Sequence, residues 1–489
     1  MAALASAAAQ QREGAAVSAL SLDIGPNELD KAQRQADPLA DSTIAQILGP
    51  WIPPQPQATA AQIVATNGAH WLRIAQVNQV LAQWTDNATL ASWQPQQAVP
   101  PEVAQPLRAY LDAGQVLPDW ADPAKIARAE ALFMDYGALS CILLFCSSLP
   151  ECYVVPDLSA VLHVAGQLEA HTEYRIRATA AMIFPVMMKG GLTSPQGSGI
   201  AQVLKVRLIH ATIRNLILHG DPQQALGTAA VAPLPALLAS KNMHEALFAH
   251  GWDAAAQGLP CNQEELAYTL LTFGYVFLRS MRRLGLRLTP DDERAYLHAW
   301  NVMGHVLGIE RALMADTMDE SEALFARMQA RGRAEPVAPD PRPGLGQALM
   351  KTMEDVIPLR LVKPFPVLMT RYLCGGATMR DLGIAGRVSW MSRLLFALLM
   401  LIVRAIDGVV RLVLPEFSIS RFITRVLGYR FMSKILMDQT RPLKLPTHVL
   451  NRVDTMMEGW SDDPHAPRWL NKLEDRLTTR GSWRTAGRP

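Results

Sequence analysis

The residues best suited by type and spacing to do chemistry lie in GIAQVLKVRLIHATIRNLILH, positions 199–219. The hydrophobic periodicity predicts one helix there, with His210 at its middle. At 3.6 residues per turn His210 shares a face with Val203, Val206, Ile213 and Ile217, and Arg207 and Arg214 flank the stripe. An imidazole set among branched aliphatics can serve as a metal's axial ligand, and neighbouring arginines can pair with acidic groups on a cofactor rim. The same pattern also describes a core histidine bonded to a carbonyl, with two arginines reaching solvent. A second set lies in HTEYRIRATAAMIFPVMMKGG, positions 171–191. There Arg175, Thr179, Met182 and Val186 fall at i, i+4, i+7 and i+11, one helical stripe. A cation and a hydroxyl one turn apart, continued by Met, suit one wall of an apolar pocket that needs a polar contact. A salt-bridged surface arginine and a back-bonded threonine is the plainer alternative.

Other chemistries lack their spacing. The loop GGLTSPQGSG between the two helices has glycines but no G-x-x-x-x-G-K, so a phosphate cradle is not supported. His244 and His250 are six apart, not the four of H-E-x-x-H, which argues against zinc. No E-x-x-H pair suggests a di-iron bundle. His298 and His305, seven apart, read as structural, and Gly304 and Gly308 permit close contact. The five cysteines form no C-x-x-C, so they read as reduced, buried thiols in a cytosolic setting.

The elements that must position these residues are helical. Strand-like alternation is nearly absent, so the fold class expected is all-α. Asp122-Pro123 and Thr289-Pro290-Asp291-Asp292 each mark a capped helix start with Pro at its first position. DPAKIARAEALFMDYGALSCILLF (122–145) reads as a single helix that turns apolar towards its end. A length of 489 residues allows two to four domains. The composition resolves into an N-terminal arm lying over the body (1–60), one large helical domain (61–335), a basic amphipathic region (347–440) and a polar tail (441–489). The Ala-rich start lacks the basic and apolar regions of a signal peptide.

Taken together, L-P-D-W-A-D (117–122), S-S-L-P-E-C-Y-V-V-P-D (147–157), E-Y-R-I-R-A-T-A (173–180), V-R-L-I-H-A-T-I-R (206–214), L-P-C-N-Q-E-E-L (259–266) and Y-L-H-A-W-N-V-M-G-H-V-L-G-I (296–309) form an ordered set. In order and spacing, over roughly 110–335, this set resembles the catalytic domain shared by bacterial latex-clearing proteins (rubber oxygenases) and the MpaB-type oxygenase. The resemblance implies an all-α domain holding one non-covalent heme b. His210 would be the proximal iron ligand, and Arg175 and Thr179 the Arg/Thr pair of the distal helix. Met182 would line the same pocket, and Arg207 and Arg214 would pair with propionates. Ala178 stands where the family's distal lysine would be expected, and this together with the lack of an export signal argues against polymeric rubber. The implied reaction is O2-dependent cleavage of a C=C bond in an apolar, isoprenoid-like or lipid substrate. The alternatives are a heme sensor or peroxidase-like protein, and a non-catalytic helical protein of the membrane surface.

That last alternative comes from the C-terminal region. Between Lys351 and Thr440 lie 13 Lys/Arg against 6 Asp/Glu, in the same stretch as the longest apolar run. Leu394–Val403 is uncharged but too short to span a bilayer. Arg393, Arg404 and Arg411 fall near one line of an otherwise apolar helix, with Arg421, Arg425 and Arg430 beyond. This pattern suits peripheral contact at a membrane interface, not nucleic acid. The expected location is cytoplasmic, with residues 390–430 on the membrane.

Overall fold

The computed structural model describes residues 24–410 except 56, 96–97, 156–171, 239, 241, 287, 335–339, 356, 358 and 387. For residues 137–138, 141, 172–178, 403 and 406–410 it describes the backbone alone. The first 23 residues, Arg411, Arg421, Arg425, Arg430 and the expected tail lie outside the described residues. Among those described the chain is helical and forms no strand, only an isolated bridge between Val231 and Trp252. The helices of eight residues or more are α1 (Pro26–Gln33), α2 (Pro38–Leu48), α3 (Gly68–Gln83), α4 (Pro101–Gly114) and α5 (Pro123–Asp135). They continue with α6 (Thr172–Met187), α7 (Gly199–Leu218), α8 (Gln263–Phe273), α9 (Tyr275–Arg283) and α10 (Pro290–Val306). The last are α11 (Met318–Ala334), α12 (Arg342–Asp355), α13 (Phe365–Cys374) and α14 (Trp390–Val410).

Local chemistry sets the boundaries. Asp37, Asp122 and Thr289 each accept hydrogen bonds from first-turn amides, and each precedes a proline, which has no N–H to leave unsatisfied. The segment expected as one helix from 122 to 145 is broken instead. α5 stops at Asp135, a short helix runs Gly137–Leu143, and a buried π-turn, Leu144–Ser148, follows. α5 and α10 pack along each other. Trp120 sets its ring edge-on to both His298 and His305, and Arg311 lies over it at 4.9 Å. The amide of Asp122 donates to His298 Nε2. The two histidines are therefore structural, locked by the D-W-A-D segment. Gly304 lets Leu270 approach closely, and Gly308, at φ +89° just past the end of α10, leaves room for the Arg207 guanidinium of α7 and its partner Asp37.

The N-terminal segment is not superficial. Ala40, Ile44, Ile47 and Leu48 of α2 are buried, and α2 packs against both α4 and α7. Trp51 stacks on His70, leans against Phe248, and donates through Nε1 to Asn215 Oδ1 at 2.8 Å. The body also runs past residue 335, since α12 packs on α6 and α13 on the π-turn. A buried carboxylate ties these parts together. Glu151 accepts from Arg279 at 2.5 Å, Gln329 at 2.9 Å and Thr378 at 3.1 Å. Cys146, Cys152 and Cys261 are buried, and burial pushes the thiols of Cys146 and Cys261 up to about 12, which leaves them protonated.

Burial also holds His70, His219, His298 and His305 below the ordinary histidine value of 6.5. Each binds its proton more readily in the unfolded chain. Stability is therefore expected to fall as pH drops through about 6.5, and to level off above it. Unfolding midpoints followed by tryptophan fluorescence on either side of that pH check this; a midpoint that rises on acidification contradicts it.

Candidate functional site

α7 is fixed along its length by polar groups on one side. Arg207 donates to Asp37 at 2.5 and 2.7 Å and to the carbonyl of Val306 at 3.0 Å. Arg214, with no solvent exposure, donates to Asp41 at 2.8 Å and to the carbonyl of Cys261 at 2.9 Å. Cys261 presents that carbonyl from a left-handed conformation, φ +51°. The hydroxyl of Tyr110 donates to the carbonyl of Leu204 at 2.8 Å. Neither arginine reaches solvent or stands free for a cofactor's acids. Both are paired with carboxylates of α2 and its cap.

With Val203, Arg207, Ala211 and Arg214 turned inward, Gln202, Lys205, Val206, Ile209, His210 and Ile213 form a half-covered strip. Ile209 is 40% exposed, unusual for an isoleucine in the middle of a core helix. His210 sits at the strip's edge. Its ring is half-buried, but Nδ1 is out of solvent's reach and makes no hydrogen bond among the described residues. Burial, helped by the nearby Arg214 charge, holds its pKa at about 4. The imidazole is thus neutral at physiological pH, the form in which a ring nitrogen can ligate a metal. The carbonyl bond of an ordinary core histidine is missing at Nδ1. Lys205, on the same strip, has its pKa brought down to about 8 by burial and forms no ion pair among the described residues.

α6 packs back against α7. Thr179 and Met182 are half-buried on it, with Val186 buried one turn on. Arg175 belongs to α6, but its side chain lies outside the described residues. Beneath α6, the aromatic cluster of Phe184, Phe273, Phe277, Tyr296 and Trp300 leaves only about 20 Å³, roughly one water.

The loop between the helices determines how they meet. Glu130, buried on α5, accepts from the amides of Gly190 at 2.8 Å and Gly191 at 3.1 Å. Asn87 donates to the carbonyls of Gly191 and Ser194, both at 2.9 Å, and accepts from the amide of Ala201. A Cβ on Gly191 would lie 2.2 Å from the carbonyl oxygen of Pro185, so only glycine fits. Asp37, Asp41, Asn87 and Glu130 were not singled out from the sequence. One signal was present: Asp37 and Asp41 are four apart just at a Pro-marked helix start, matching two arginines seven apart on another helix.

Comparison with known proteins places the chain in a family. The family model for the ER-bound oxygenase mpaB/B′ and rubber oxygenase catalytic domain matches residues 154–405. The rubber oxygenase of Streptomyces sp. (strain K30) is 25% identical over 319 residues, 64% of this chain and 67% of that protein. The solved structure of latex clearing protein LCP in the closed state matches with a TM-score of 0.54, covering 88% of this chain and 90% of that one. Its identity is 20%, so that likeness speaks to the fold alone.

Proposed function

The chain belongs to the catalytic-domain family of mpaB/B′ and rubber oxygenases and is an oxygenase; on that premise we propose that it uses one heme b to oxidise or cleave a C=C bond. The substrate class is apolar, isoprenoid-like or lipid. The observation that carries this reading is His210: a neutral imidazole with an unsatisfied buried nitrogen, at the edge of a half-covered aliphatic strip on the central helix. The residues present fit the group. His210 would hold the iron, while Val206, Ile209 and Ile213 would cover apolar porphyrin. When bound, the heme supplies the chemistry of dioxygen.

The chain's own residues position and polarise. Arg175 and Thr179 offer a cation and a hydroxyl to negative charge that develops on reacting oxygen. Met182 continues that wall as apolar surface. Arg207 and Arg214 are assigned a positioning role: by gripping Asp37 and Asp41 they set the rotation of α7, and so the direction of His210. Peripheral membrane contact through residues 390–410 belongs to the same reading. Its support is the exposed apolar surface of α14, where no helix among the described residues is long and apolar enough to cross a membrane.

Oxygen uptake by the purified chain, stoichiometric with loss of an unsaturated isoprenoid and with gain of carbonyl products, is the test. Thr179→Ala and Arg175→Ala are each expected to lower kcat about a hundredfold. Alkene loss without oxygen uptake, or no turnover across short and long isoprenoids, contradicts the proposal.

A further inference from the structure

The loop after α13 opens a cleft of about 280 Å³ that the oxygenase reading does not use. Val367, Leu368, Met379, Ile384 and Val388 form its apolar lining. Among the described residues its polar part consists of three guanidinium groups, Arg371, Arg380 and Arg393, with no carboxylate. Asp381, the nearest acid in sequence, is turned away and paired with Arg333 at 2.8 Å. All three arginines are exposed, and none forms an ion pair among the described residues. Three like charges converging on one opening repel each other, and a multivalent anion relieves that repulsion. Guanidinium forks match phosphate oxygens.

Arg393 connects the cleft to α14. On that helix Ser392 and Phe396 face inward, while Trp390, Leu394, Leu398 and Leu401 are 70%, 58%, 49% and 66% exposed. At about 100° per residue these four fall within an arc of about 80°, bordered on one side by Arg393 and Arg404. The usual amphipathic arrangement is inverted: the outward side is the greasy one, and its edge is basic. An apolar arc with a basic border and an exposed Trp at one end suits the boundary between headgroups and acyl chains.

We propose that the Arg371–Arg380–Arg393 cleft binds the phosphate headgroup of an anionic phospholipid while the outer face of α14 lies among the acyl chains. This rests on the membrane-contact reading above and adds to it a defined headgroup site. Charge complementarity selects the occupant. A second copy of this chain would bring the same basic border to the contact, and a neutral apolar partner would leave three guanidiniums unmatched.

The full-length chain is to be co-sedimented with phosphatidylcholine vesicles, with and without phosphatidic acid. Stronger binding to the anionic vesicles is expected. Arg371→Gln with Arg380→Gln is expected to weaken that binding about thirtyfold, leaving binding to phosphatidylcholine alone and the circular dichroism spectrum unchanged. Leu394→Ser with Leu398→Ser is expected to weaken binding to both compositions. Equal binding to both compositions, or an unaffected arginine variant, overturns the headgroup site and leaves membrane contact standing. Absence of binding to any vesicle overturns both, as does a concentration-dependent dimer that the leucine variant abolishes while vesicles remain unbound.

Discussion

Asp41→Ala is expected to destabilise the protein by about 3–5 kcal/mol, among the largest effects of any single substitution. The cause is what remains. Arg214 has no solvent exposure, its Nη2 has no partner among the described residues, and without Asp41 its charge keeps only the carbonyl of Cys261 among them. The pair itself is not a large net gain. Burial pushes the Asp41 carboxyl above its ordinary range despite the pull of Arg214, so desolvation offsets much of the attraction. Asp41→Leu combined with Arg214→Met is therefore expected to be far milder than Asp41→Ala alone. Urea midpoints of the single and double variants decide it. A single variant within about 1 kcal/mol of the parent would show that α7 is not held in this way.

Gly191→Ala is expected to cost about 3 kcal/mol or more, or to abolish folding of the α6–α7 pair. The added Cβ would meet backbone on two sides, 2.2 Å from the carbonyl oxygen of Pro185 and 2.4 Å from that of Val186. Backbone atoms of a helix end cannot swing aside as a side chain can. Relief would require moving the turn, and with it the bonds to Glu130 and Asn87 that fix where α7 begins. Gly227→Ala is the control: its nearest neighbour would be 3.8 Å away, and a change within about 0.5 kcal/mol is expected. Thermal unfolding of the two variants side by side checks the contrast; equal midpoints contradict it.

Much of the helical frame was legible because it depends on local signals. Asp122-Pro123 and Thr289-Pro290 start helices where capping chemistry places them, and the 3.6-residue repeat marks α7. The ordered motifs pointed to the oxygenase family, and the family match bears this out while starting later and extending to residue 405. What could not be read was set by contacts across long chain separations. Arg207 and Arg214 look like free cations in sequence because their carboxylates lie about 170 residues away on α2. That helix looked like part of an arm because its periodicity is weak, and its burial comes from packing against α4 and α7. The break after Asp135 and the π-turn at Leu144–Ser148 likewise follow from what surrounds them, since the apolar run would equally suit a continuous helix. The C-terminal boundary at 335 followed a change in composition, whereas α12 and α13 join the body through apolar faces that composition does not reveal.

The most direct measurement is the absorption spectrum of the full-length chain, oxidised and dithionite-reduced, beside that of His210→Ala. A heme Soret band that shifts on reduction is expected in the parent. In the variant it should be lost while the helical circular dichroism is kept. A parent that is colourless and takes up no added hemin, or a variant whose spectrum matches the parent's, would contradict His210 as the residue that holds the iron.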